Sequence, residues 1–175
     1  MKKFTFLLFL LSISFSQKSF SQELKSEFLF DLDISLNAPQ MVGQVLKGTR
    51  MIFPFKDGTV KGSKINGKII NSGADWGLVL DSTSFKMDVR ATIMTTDSAL
   101  IYISYTGYDH ASAKNYAIIS AGRGSELSPT DYYFRSAVSF ETSSPKYTWL
   151  NRIIAVGVGR FPGPGRVAYR IYEIK

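Results

Sequence analysis

Apolar and polar residues alternate along much of this chain with a period of two. In Phe28–Leu36, residues Phe28, Phe30, Leu32, Ile34 and Leu36 fall on one side, and Leu29, Asp31, Asp33 and Ser35 on the other. In Phe85–Thr95, Phe85, Met87, Val89, Ala91 and Ile93 alternate with Lys86, Asp88, Arg90, Thr92 and Met94. Tyr132–Phe140 repeats the pattern, Phe134, Val138 and Phe140 opposing Arg135, Ser139 and Glu141. Successive side chains of a strand point to opposite faces, so this alternation predicts strands with one buried face.

Shorter runs predict further strands at 50–55, 64–70, 76–80, 100–105, 153–158 and 166–174. Turn chemistry separates them at Asp57-Gly58, Asn66-Gly67, Ser72-Gly73, Asp81-Ser82 and Pro162-Gly163-Pro164-Gly165. Asp57-Gly58 reads as a hairpin turn, whereas Asn66-Gly67 fits either a turn or a glycine kink inside a bent strand. One short helix is expected at 113–121 and a helical turn around 147–151. The prediction is an all-β fold: an antiparallel β-barrel of roughly nine or ten strands with one or two short helices. A barrel of this size either fills with side chains or holds one small ligand.

The first 21 residues break the pattern. Lys2 and Lys3 precede an apolar stretch from Phe4 to Phe15, and Ser19 and Ser21 place small residues before Gln22. This is the layout of a cleavable signal peptide, about twelve apolar residues being too few to span a bilayer. Cleavage is expected after Ser21, with Ser16 as the rival position. Residues 1–21 are therefore read as a signal peptide and 22–175 as a single domain, periplasmic or secreted, with no membrane span in the mature chain.

That reading changes the meaning of the charge. Lys2, Lys3 and Lys18 account for three of the seven net positive charges, and residues 1–21 contain no acid, which leaves +4. No run of Lys or Arg marks a nucleic-acid face, so no nucleic-acid partner is expected. The chain has no cysteine, which excludes disulfides, thiolate metal sites and cysteine nucleophiles. His110 is its one histidine, so a histidine-rich zinc site is excluded as well. No metal and no cofactor is expected, and Gly157-Val158-Gly159 lacks the strand–helix setting of a phosphate-binding loop.

Several segments, in order along the chain, resemble the DUF3237 (UPF0311) family. They are Phe28-Leu29-Phe30, Gly48-Thr49-Arg50, Val60-Lys61-Gly62 through Gly67, and Gly73-Ala74-Asp75-Trp76. Arg90-Ala91-Thr92, Ala99-Leu100-Ile101-Tyr102, Tyr132-Tyr133-Phe134-Arg135, Phe140-Glu141-Thr142 and Tyr147-Thr148-Trp149-Leu150-Asn151 follow. The departures are local: Ser72 stands where the family has a glycine, Ser98 follows Asp97 in place of glycine, and Val138 replaces a common proline. The resemblance implies a compact β-barrel, allows a homodimer, and carries no established reaction.

The candidate chemistry follows from the polar residues in these segments. Asp75 beside Trp76 is a carboxylate that an indole can desolvate and so tune for proton transfer, or else a turn aspartate beside a core anchor. Arg135 and Glu141 share a strand face with Tyr133, about 20 Å apart if the strand is straight. Asp88 and Arg90 share another face. If the charged faces turn inward they line a polar pocket for an anionic or hydroxylated molecule. Arg135 then clamps a carboxylate, and Glu141 or Asp75 moves protons. If they turn outward they are a solvated exterior. The expected catalytic residues are thus Asp75, Glu141 and Arg135, with Trp76, Asp88, Arg90, Tyr133, Trp149 and Asn151 as ligand contacts. Trp149 and Asn151 also read as a structural cap at one barrel end, and Asp109-His110 as a solvated loop. Three functions remain open: binding of a small organic molecule, metal-independent proton-transfer catalysis in the same pocket, or an interaction role in the cell envelope.

Overall fold

The computed structural model describes residues 23–70 and 73–175; the expected signal segment, its cleavage position and Ser72 lie outside the described residues. Ten strands follow in chain order: β1 (Ser26–Leu36), β2 (Gln40–Val45), β3 (Gly48–Lys61), β4 (Asn66–Ile69) and β5 (Ala74–Asp81). After them come β6 (Ser84–Thr95), β7 (Leu100–Ala111), β8 (Tyr132–Glu141), β9 (Ala155–Gly163) and β10 (Arg166–Ile174). One helix, α1 (Ala113–Ser120), and a 3-10 turn at Gly124–Glu126 bridge β7 to β8. A second 3-10 turn, Thr148–Arg152, bridges β8 to β9. No helix among the described residues is long and apolar enough to cross a membrane.

Every pairing is antiparallel, and the sheet closes on itself. From β1 the order runs through β10, β9, β8, β7 and β6 to β4 and β5, both of which pair with β3. β3 returns to β1 through Leu32↔Val60 and Ile34↔Gly58, which completes the barrel. Among the described strands, closure leaves only the short β2 as an edge, and an exposed edge is what invites strand addition.

The long β3 corrects one expectation. Asp57-Gly58 is not a hairpin turn but lies inside β3, paired to Ser35 and Ile34 of β1. Turn-type residues were held extended here because the neighbouring strand supplies their ladder bonds. Asn66-Gly67 likewise begins β4 and pairs with β6 at Thr95. The turn at Gly163-Pro164-Gly165 is real: Gly165 sits at φ 64°, which suits glycine. β7 runs six residues beyond the expected strand, because β6 and β8 pair with it as far as His110 and Ala111.

The alternation resolves with its apolar phase inward. Met87, Val89, Ala91 and Ile93 of β6 and Phe134, Val138 and Phe140 of β8 are buried, while their polar neighbours face out. The two barrel ends differ. At one, Phe30, Phe140, Ile65, Tyr147 and Leu150 fill the interior. There the Tyr147 hydroxyl donates to Asp97 at 3.0 Å, and Lys146 reaches the same carboxylate at 2.7 Å. At the other end the walls are aromatic but do not meet in the middle.

Those walls depend on close approach at Gly159. A Cβ there would overlap the Phe134 ring, which is held between the Phe161 ring at 4.8 Å and the Tyr169 ring at 5.2 Å. Gly159→Ala is expected to lower stability by about 1–3 kcal/mol, the usual cost of overpacking a filled region. Urea denaturation measures it, and an unchanged midpoint would mean that the aromatic wall yields freely.

Candidate functional site

The open end of the barrel holds a cavity of about 460 Å³, within the usual range for small-molecule sites. Loop segments line it at Asn37–Pro39 after β1, at Gly122 and Gly124 beyond α1, and at the β9–β10 turn with Arg166, together with Ser120 at the end of α1. α1 is capped by Ser112, whose side chain accepts the Asn115 N–H at 3.3 Å, and it turns Tyr116 and Ile119 toward the cavity. The walls are mostly apolar, Phe53, Phe85, Phe134 and Phe161 among them. Two carboxyls, Asp75 and Asp109, break that surface.

Asp75 enters the cavity because β5 alternates out of step with its own sequence. Asp75 pairs with Val89 of β6 and Phe53 of β3, both inward positions, whereas Trp76 turns outward. One carboxylate oxygen accepts the Asp88 backbone N–H at 2.9 Å, which fixes the side chain. Burial raises its pKa to about 7; the Asp88 N–H opposes that rise, the Asp88 charge adds to it, and Arg50 opposes it.

Asp109 continues the inward series Ile101, Ile103, Tyr105 and Gly107 of β7, two register steps beyond Tyr105. It stands between Phe85 and Phe134 of the flanking strands. It is only 6% exposed, and its Oδ1 has no hydrogen-bond partner among the described residues. Desolvation first, and the charge of Asp75 second, push its pKa to about 7. Burial also holds the Tyr105, Tyr116 and Tyr169 phenols well above their ordinary range, so they stay protonated. Tyr169 leans on Met87 Sδ at 3.9 Å, whereas the Tyr105 hydroxyl has no partner. Ser136, opposite Gly107 between Tyr105 and Asp109, is a second buried hydroxyl without one.

The remaining expected site residues do not join Asp75. Arg135 lies outside the barrel over the Tyr133 ring at 5.4 Å and donates to the Phe134 carbonyl at 2.9 Å. Asp88 pairs with Arg90 at 3.1 Å on the exterior, and Arg90 covers the outward face of Trp76 at 5.5 Å. Glu141 is exposed near the filled end, sharing a shallow external groove with Asn151. Asn151 clamps Thr142 with two 2.9 Å bonds to its backbone, and Trp149 packs against the filled end under Lys64. For Asp88, Arg90, Arg135 and Glu141 the physical reason is the same: the apolar phase of β6 and β8 took the interior and left the charged phase in water. Trp149 and Asn151 follow the structural cap reading. His110 is on strand β7, not in a loop, and stacks outside on Tyr133 at 4.9 Å. No group of three metal-binding side chains occurs among the described residues.

Asp109 was the residue missed. Its signal was present in the uninterrupted alternation from Ile101, but ending the strand at Tyr105 placed it in a loop.

A carboxyl whose folded pKa exceeds its unfolded value of about 4 lets the folded state hold more protons between those two values. Stability therefore falls as pH rises from about 4 to about 7. Asp109→Asn removes its share of that slope and leaves that of Asp75, and it is expected to stabilise the protein at pH 8 by about 1–2 kcal/mol after allowance for cavity water, with little effect at pH 4. Denaturation at both pH values reads the difference; parallel pH profiles for the two proteins would contradict the assignment.

Comparison with known proteins agrees with the architecture. Residues 24–174 match the family described as "Protein of unknown function (DUF3237)". A UPF0311 protein of Clostridium acetobutylicum is 32% identical over 155 residues, covering 87% of this chain and 96% of its own. A solved β-barrel-like protein of Acinetobacter baumannii is 37% identical, with a TM-score of 0.76 over 89% of this chain and 98% of its own. A structure described as an enzyme from Penicillium herquei, at 21% identity and a TM-score of 0.63, covers 89% of this chain and 97% of its own and shares the fold. The chain belongs to the DUF3237 family of proteins of unknown function.

Proposed function

We propose that this protein is an exported β-barrel that binds a small organic molecule in its open-ended cavity and moves protons on it without a metal. The observation that carries this is the convergence of two desolvated carboxyls, Asp75 and Asp109, on a cavity otherwise walled by apolar rings. Perturbed acids inside a cleft mark a candidate functional site. With both carboxyls near pH 7, the pair carries about one proton at neutrality, so one oxygen can accept a proton while the other acid gives one up. Tyr105, which also lines the cavity, adds a hydroxyl that stays protonated. Such a set suits isomerisation, elimination or hydrolysis, where a proton leaves one atom and another is returned elsewhere.

The site narrows the ligand class anticipated from sequence. Two interior carboxyls repel an anion, and Arg135, the group meant to clamp one, is outside. A hydroxylated or carbonyl-bearing molecule with an apolar body fits better. Export is supported by the Lys2-Lys3 pair and apolar stretch, and β1 begins at Ser26, so a cut before Gln22 leaves the barrel whole. An interaction role has its own support in the exposed Met41, Val42 and Leu46 on the β2–β3 hairpin, a surface suited to a homodimer or other partner.

The test is deuterium exchange from heavy water into cavity-bound carbonyl compounds, followed by NMR. Asp75→Asn is expected to slow exchange by about 10²–10⁴-fold, the usual worth of a general base, with affinity changed little. Equal exchange rates would remove the catalytic reading, and loss of affinity in the same proportion would leave a binding protein.

A further inference from the structure

The lining of the cavity is one-sided in its electrostatics. It offers two carboxyls, phenol oxygens that can accept, and several aromatic rings, whose faces carry negative potential. Arg166 is the one Lys, Arg or His side chain among the lining residues, and it is spent at the mouth: half in solvent, it binds Asp33 at 2.7 Å. Arg50 acts on Asp75 from outside, with its guanidinium engaged by the Trp76 and Gly77 carbonyls. Asp109 is only 6% exposed with Oδ1 unpartnered, and Tyr105, 3% exposed, has an unpartnered hydroxyl. An ionised carboxyl buried without a partner is costly, and the described residues lining the cavity supply no free counter-charge for Asp109 when it ionises.

We propose that the cavity takes a cationic small molecule, a protonated amine or quaternary ammonium on an apolar body, with the positive group against Asp109 and in the field of Asp75. This rests on the reading of the cavity as a binding site and names its ligand class. The rings of Phe85 and Phe134 flank Asp109 on the neighbouring strands, and a cation over an aromatic face gains further attraction once desolvated. The groups facing the two acids are Tyr116 from α1, Tyr105 from β7, Tyr169 from β10 and Asp88 and Arg50 around Asp75. Apart from Arg50, none of them is a cation that would compete with the guest.

Three probes of similar size decide it: benzyltrimethylammonium, benzyl alcohol and phenylacetate, titrated into the purified protein by calorimetry. The cation is expected to bind at least tenfold tighter than the alcohol, and phenylacetate more weakly than either. Its affinity should rise from pH 6 to pH 8, with protons released on binding, as the acids ionise to meet it. Asp109→Asn should lose at least tenfold for the cation and little for the alcohol, a split that a general loss of folding cannot produce. Benzyl alcohol binding as tightly as the cation would overturn the inference and leave the cavity a binding site for neutral molecules. No binding by any of the three would overturn both.

Discussion

A carboxyl placed inside a β-barrel must find a partner, lose its charge or stay near water, because moving a bare charge into an apolar interior costs many kcal/mol. The cavity end of this protein is organised around that constraint. Asp75 meets it in part by accepting one backbone N–H, Asp109 by giving up its charge near neutrality, and both by facing a space wide enough for a guest. Had the aromatic walls closed over them, as Phe30, Phe140 and Leu150 do at the filled end, these acids would only destabilise the fold. The open cavity and the interior acids are thus one feature: each makes the other tolerable.

The scaffold gives those acids fixed positions. Closure through β1 and β3 leaves no long free edge, so the phase of each strand is set by which face is buried. The ladder carries Asp75 to Val89 and on to Tyr105, and Phe85 to Asp109 and on to Phe134. Acids, phenol and rings therefore sit on one wall, with the Met87–Gly107–Ser136 rung between the two. A site built on strands in this way is held more rigidly than one built on loops.

Much of the fold was legible in period-two alternation, because burial of one strand face is a local pattern. β6, β8 and β10 could be read almost residue for residue. β2 was not, since Gln40–Val45 mixes apolar and polar positions on an exposed hairpin and has no buried face to reveal it. Asp57-Gly58 misled for the opposite reason: its turn chemistry is local, and the β1 pairing that overrides it is not. The site was half legible. Asp75 stood out by its neighbour Trp76, although the two side chains separate to opposite faces. Arg135, Glu141, Asp88 and Arg90 drew attention as charges in family segments, but charge on the polar phase is what solvation alone would produce. Asp109 broke the apolar phase of its strand, and that is the rarer and more informative event.

The central claim is that Asp75 and Asp109 are interior acids whose protons are held by desolvation. Carbon-13 NMR of their side-chain carboxyl carbons, followed against pH in the native protein, tests it most directly. Two titrations centred near pH 7, standing apart from the surface aspartates, are the predicted result. Midpoints near pH 4 for both carboxyls would contradict the account, because acids that ionise as they do in water are not buried in an apolar cavity.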